Sequence, residues 1–288
     1  MITDYGEERQ RSLIFDYFGS DARIRALRHA ATFGASIFVV DFDRGPRHFR
    51  TLGSFGGGAQ VTEQSSMDLL YPSRLVFHYE RLMSLALAMS RQSVNALLLG
   101  VGGAAMWRFL RAYAPDCAPT LVDSDETIIT TARRWFYLKQ PVVLDTAQRF
   151  LAGTSTRYDA ILVDLYGPGG PSEIDDVFWT RCLDALSPGG CLATNWADFT
   201  VNPKVRPMTD SLSEVARARG IEAIFVTRRG FHDNLVQYVP TVPEIRLEAM
   251  TLEGLNGVLA RFVQERHIPD RGRGILENCI VATRFPIE

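Results

Sequence analysis

Four short apolar runs in the middle of the chain end in residues suited to holding a sugar or a proton. Ala96-Leu97-Leu98-Leu99 runs into Gly100-Val101-Gly102-Gly103, and Thr120-Leu121-Val122 into Asp123. Val142-Val143-Leu144 runs into Asp145, and Ala160-Ile161-Leu162-Val163 into Asp164. Glycines at such a turn permit positive φ and let a ligand approach the backbone, and the helix expected from about Ala104 offers unpaired N–H groups. Taken alone, the turn also suits a plain strand-to-helix connection. Asp123 adds to it, because an acidic residue about twenty positions beyond a glycine turn can accept from both hydroxyls of a ribose. Asp125 is placed to cap a helix beginning near Glu126. In open α/β sheets ligands bind at the carboxyl ends of the strands, where Asp145 and Asp164 also fall. A solvated loop explains any one of these residues; a nucleotide site explains the series.

Beyond Asp164, the stretch Leu165-Tyr166-Gly167-Pro168-Gly169-Gly170-Pro171 is too rich in glycine and proline for a helix. Its length suits a loop that covers a site.

The elements that must position these residues follow from periodicity. Short apolar strands alternate with helices, the pattern of a mostly parallel, doubly wound sheet covered on both faces. The expected fold class is α/β, with residues 93–288 forming a Rossmann-like nucleotide-binding domain with a C-terminal extension. Residues 1–92 form an N-terminal helix and β-hairpin region. Within it, residues 1–34 read as roughly helical, 36–43 and 47–52 as strands around the turn Arg44-Gly45-Pro46, and Gly56-Gly57-Gly58 as a flexible loop. Helices are expected over 75–89, 126–138 and 175–186, a fifth strand over 191–194, and two closing strands over 223–226 and 235–239. Cys279-Ile280-Val281-Ala282 is apolar enough to pack on the core or on a second subunit. Trp107 and Trp135 are expected in the core.

Composition excludes several classes. The 288 residues are 46% hydrophobic and 22% charged, with a net charge of −2, so nothing global attracts nucleic acid or an anionic membrane. Lys139 and Lys204 are the only lysines. The four cysteines, Cys117, Cys182, Cys191 and Cys279, match no zinc spacing and read as reduced thiols. The charges of Asp4, Glu7, Glu8, Arg9 and Arg11 break up any signal peptide, and no apolar run reaches membrane-spanning length. A cytoplasmic location is expected.

Several motifs, in order, resemble the spermidine synthase family of aminopropyltransferases. Gly100-Val101-Gly102-Gly103-Ala104 resembles the family's GGGDG turn, and Leu121-Val122-Asp123-Ser124-Asp125 its ribose-holding strand end. Leu144-Asp145-Thr146-Ala147 is similar to the G-D-A segment beside adenine. Tyr158 to Pro168 resembles Y-D-v-I-i-x-D-x-x-D-P, His78-Tyr79-Glu80 sits where the family has Y-H-E, and Gln64 or Gln60 matches a glutamine near the hairpin. The resemblance implies an S-adenosylmethionine-dependent methyltransferase fold with a small N-terminal β-hairpin domain. It implies transfer of an aminopropyl group from decarboxylated S-adenosylmethionine to an amine, with Asp164 as base and Tyr79 and Tyr166 assisting. Gln64, Gly100, Gly102, Gly103, Asp123, Ser124, Asp145 and Thr146 would hold the donor, and His78, Glu80 and Asp198 the acceptor. A homodimer is implied, and no metal is needed. Two family aspartates are replaced, by Gly103 in the turn and by Gly167 after Asp164.

Three other readings stay open on the sequence. The same domain suits a methyltransferase using S-adenosylmethionine itself. The two lost aspartates suit a degenerate, non-catalytic member. A nicotinamide dehydrogenase also fits, since Ala105 stands where the third glycine of its fingerprint tolerates alanine.

Overall fold

The computed structural model describes residues 7–19, 22–31, 36–55, 61–91, 95–166, 174–197, 199–200, 202–228, 234–268, 276 and 279–283. The N-terminal region departs from the helical reading of residues 1–34. Among the described residues of this stretch only α1 (Glu7–Phe18) is helical, and Ala22–Ala31 forms a strand, β1. Its arginines mimic a solvated helix face, but tertiary pairing decides otherwise. Arg25 and Arg28 reach across to Asp43 and Asp41 of the neighbouring strand. The expected hairpin is present as β2 (Ser36–Arg44) and β3 (Arg47–Phe55), turned by Gly45 at φ +58°. A fourth strand, β4 (Val61–Asp68), was not expected, so the hairpin belongs to an antiparallel sheet of order β1-β2-β3-β4. The Gly56–Gly58 loop lies outside the described residues.

This sheet is apolar on both faces. Phe38, Val40, Phe42 and Phe49 pack against Ile14 and Phe18 of α1. On the other face Ile37, Val39, Leu52 and Met67 meet Ile128 and Phe136 of the large domain. The join is also polar: Asp41 accepts from Arg28 and Arg50, and Arg50 donates on to the Trp135 carbonyl at 2.8 Å. Trp135 is therefore no core residue; it is half-buried at this junction, with the Arg28 guanidinium 4.2 Å from its ring centre. Trp107 is in the core, as expected.

The chain then enters the large domain through α2 (His78–Ala88), β5 (Asn95–Leu99), α3 (Ala105–Tyr113), β6 (Ala118–Asp123), α4 (Glu126–Trp135), β7 (Val143–Leu144), α5 (Ala147–Gly153), β8 (Tyr158–Val163) and α6 (Asp176–Asp184). It continues through β9 (Leu186–Ala197), α7 (Val205–Arg217), β10 (Ile224–Arg228), β11 (Asn234–Pro240), α8 (Pro243–Ala249), α9 (Leu252–Arg266) and β12 (Cys279–Ala282). The eight-stranded sheet has the order β12-β10-β11-β9-β8-β5-β6-β7. Pairs from β9 to β7 are parallel; β11 is antiparallel to both β9 and β10. The mostly parallel α/β sheet is that of the S-adenosylmethionine-dependent methyltransferase fold. The apolar segment at Cys279 joins this sheet by pairing with β10.

Helix ends follow their caps. Asp125 accepts from the N–H groups of Thr127 and Ile128, starting α4 as expected. α4 stops at Trp135, three residues short of the predicted end, because Tyr137 turns left-handed at φ +62°. Among the described residues, no helix is long and apolar enough to cross a membrane.

Candidate active site

The strand order places Asp164, Gly100, Asp123 and Asp145 side by side along the carboxyl rim of β8-β5-β6-β7. Backbone bonds carry the sheet up to these residues. Asp164 N–H donates to Leu99 O at 2.9 Å, Gly100 N–H to Val122 O at 2.9 Å, and Asp145 N–H to Asp123 O at 3.1 Å. Gly100 has φ +89°, and a Cβ there would drive into the Asp164 carbonyl oxygen. Glycine is thus required both by the turn and by the close approach of the two strand ends.

The Asp123 carboxylate straps this turn. One oxygen accepts from Val101 N–H at 2.9 Å and the other from Asp125 N–H at 3.0 Å. Burial raises its pKa against these bonds. Gly102 N–H is a third backbone donor to this carboxylate, so of its roughly four acceptor directions about one remains for a ligand. Ser124 beside it is exposed. Asp145 accepts from Thr146 N–H at 2.8 Å and lies 3.4 Å from Arg149, while Thr146 caps α5.

Asp164 is half-buried and held by side chains remote in sequence. Asn195 Nδ2 at the end of β9 donates to its Oδ1 at 2.9 Å, and the Tyr79 hydroxyl of α2 also bonds to it. Burial raises the carboxyl pKa, while both hydrogen bonds act to lower it. Burial, followed by the Asp164 charge, raises the Tyr79 pKa well above the ordinary range, so its hydroxyl stays protonated as a donor. Tyr166 joins the same cluster, donating to Asn195 O at 3.3 Å and accepting from Ala197 N–H.

Glu80 lies beneath this cluster at 5% exposure and accepts from Phe77 N–H at 3.1 Å, closing the first turn of α2. Burial lifts its pKa to about 8, with Arg108 pulling the other way. His78, next to Tyr79, faces elsewhere: its Nε2 is 3.5 Å from Cys279 Sγ on β12, and burial lowers its pKa to about 4. Gln64 on β4 donates to Ser54 at 3.0 Å. Asp198, Gly167 and the loop from 167 to 173 lie outside the described residues.

Gly103 has a neighbour that no motif announces. A Cβ at this position would lie 2.6 Å from Ser65 Oγ and 3.2 Å from a Phe136 ring carbon. The N-terminal sheet fills the space where the resembled family carries an aspartate. Arg108, 4% exposed, locks the same corner by donating to the carbonyls of Pro72 at 2.7 Å, Phe136 at 3.0 Å and Gly103.

Sequence reasoning missed Asn195, Ser65 and Arg108. Asn195 follows the run Cys191-Leu192-Ala193-Thr194, so applying the strand-end rule to the fifth strand points to it. Nothing in the local sequence marks the other two.

No protein-family model matches the chain. A polyamine aminopropyltransferase of Chromobacterium violaceum is 31% identical over 212 residues, covering 68% of this chain and 78% of that protein. A probable spermidine synthase structure from Corynebacterium glutamicum superposes with a TM-score of 0.61 at 17% identity, covering 85% and 89% of the two chains. A spermidine synthase solved with the transition-state analogue AdoDATO superposes at 0.56 and 12% identity, covering 76% and 74%. Both structural likenesses bear on the fold.

Proposed function

As a member of the polyamine aminopropyltransferase family, this chain is a transferase, and we propose that it moves an aminopropyl group from decarboxylated S-adenosylmethionine to a small amine. The observation that carries this reading is Asp164, a half-buried carboxylate beside the glycine turn, oriented by Asn195 and Tyr79. The adenosine lies across the rim, with its ribose on Asp123 and its base toward Ser124, Asp145 and Thr146. Gly100 and Gly102 admit its chain to the backbone, with Gly103 alongside and Gln64 facing it from the N-terminal sheet.

The acceptor's ammonium gives a proton to Asp164. Its freed lone pair attacks the aminopropyl carbon bonded to the sulfonium. The C–S bond breaks, its electron pair goes to sulfur, and neutral methylthioadenosine leaves. Burial makes Asp164 a stronger base than a solvated carboxylate, while two neutral donors fix its direction. Tyr166 shapes the far wall of this cluster; Glu80 and Asp198 are the remaining candidates for acceptor contacts, while His78 is turned to β12. The relatives' chemistry places aminopropyl transfer ahead of methyl transfer.

The proposal extends to a homodimer, on family resemblance, and to the cytoplasm, which four buried cysteines outside any disulfide suit. The test is to mix purified protein with decarboxylated S-adenosylmethionine and a panel of mono- and diamines. Methylthioadenosine is expected with at least one amine. Asp123→Ala is expected to weaken donor binding by about 10–100-fold, the worth of a hydrogen-bonded carboxylate contact. No product with any amine, or unchanged donor affinity in that variant, overturns the reading.

A further inference from the structure

Asp164 receives its Asn195 bond at one end of a longer chain. Asn234 Nδ2, at the start of β11, donates to Asn195 Oδ1 at 2.9 Å. The main-chain carbonyl of Asn234 in turn accepts from Thr227 Oγ1 of β10 at 3.0 Å. The hydrogen bonds therefore run from the antiparallel hairpin through β9 to the rim of β8. A carboxamide has one accepting and one donating end of nearly equal shape, so its direction is set by its partners. Asn195 meets one partner at each end.

Resting on the assignment of Asp164 as base, we propose that Asn234 is a positioning residue. By donating to Asn195 Oδ1, it turns the Asn195 amide so that a donor faces the Asp164 carboxylate. The other polar groups around Asp164 come from separate elements. Tyr79 and Glu80 belong to α2, Tyr166 follows β8, and Arg108 of α3 faces Glu80 rather than Asp164. Tyr166 meets the Asn195 main-chain carbonyl, and Asn234 Nδ2 meets its Oδ1. Asn234 touches no reacting atom in this scheme; it acts through Asn195.

The chemistry gives the proposal a direction. Asn234→Asp puts an acceptor against Asn195 Oδ1, which favours rotating the amide and presenting oxygen to Asp164. A carboxylate that loses a donor and gains an acceptor neighbour binds its proton more tightly. Asn234→Leu only removes the outer bond and acts in the same direction more weakly.

The experiment is a carboxyl titration of full-length protein labelled with 13C-aspartate. The Asp164 resonance is assigned by its loss in Asp164→Asn. The midpoint is expected to rise by about one pH unit in Asn234→Asp and by less in Asn234→Leu. Thermal melting confirms folding, and if Asn234→Asp does not fold, Asn234→Leu decides. An unmoved midpoint in the folded variants overturns the proposal. Where methylthioadenosine formation is measurable, kcat falls and its acid limb moves with the midpoint, while the donor KM stays constant. The titration needs no substrate, so failure of the transferase reading shows separately, as absence of product from the unaltered protein.

Discussion

On the β5-β6-β7 side of the rim, the polar groups are backbone amides and carboxylates from residues 100 to 146, at the ends of their strands. On the β8-β9 side, one carboxylate is oriented by side chains scattered from residue 79 to residue 234. The first side is built by local turns and caps: Asp123 straps Val101, Asp125 starts α4 and Thr146 starts α5. The second exists only once α2, β9 and β11 have packed around Asp164. Under the proposed reading, donor binding rests on a local frame, while the chemistry is tuned from elsewhere. It also gives the two sides different sensitivities.

The largest expected break falls on the β8 side alone. Asp164→Asn removes the proposed base and is expected to lower kcat by about 10²–10⁴. Calorimetry should find donor affinity nearly unchanged. An equal loss of affinity would show that the two sides are not separable.

Gly100→Ala should break both sides together. It places a methyl against the Asp164 carbonyl at a positive φ, and an expected cost of about 2–4 kcal/mol should appear as a lower denaturation midpoint. Donor binding and turnover should fall in parallel.

Gly103→Asp sharpens the comparison by attempting to restore the family's carboxylate. With Ser65 Oγ 2.6 Å from the new Cβ, the substitution is expected to destabilise by about 1–3 kcal/mol without improving turnover. Ser65→Gly should relieve part of that cost in the double variant. Full stability in Gly103→Asp alone would show that the N-terminal sheet yields readily.

The last effect concerns Glu80 and is read through pH. Its folded pKa of about 8 lies above the ordinary value of 4.5, so the folded state holds the extra proton. Stability from this group is complete below the ordinary value and is lost as pH rises towards the folded one. Glu80→Gln can still accept from Phe77 N–H and should flatten the decline in Tm between about pH 4.5 and pH 8. Each kcal/mol amounts to roughly 2–4 °C in domains approaching this size. Parallel curves for the two proteins would place Glu80 in its ionised form throughout.

Legibility followed the same division. The glycine turn, the Asp125 cap and the series of strand-end carboxylates were readable because each rests on a pattern within a few residues. The N-terminal sheet was read only in part. Charged Arg23, Arg25 and Arg28 disguised β1 as helix, and Asp43 and Asp41, the partners of Arg25 and Arg28, lie on a different strand. His78, Tyr79 and Glu80 are adjacent in sequence, yet helical geometry sends them to β12, to Asp164 and into the helix's own first turn.

The order of residues by itself determined the alternation of strands and helices, hence a parallel sheet, and the chemical character of its carboxyl rim. Local hydrogen bonds and apolar periodicity suffice for that. Only the tertiary structure decided that Ser65 fills the space above Gly103, and that Asn195, directed by Asn234, faces Asp164. Those contacts join segments far apart along the chain, whose meeting depends on how whole elements pack, and no short window of sequence carries that information.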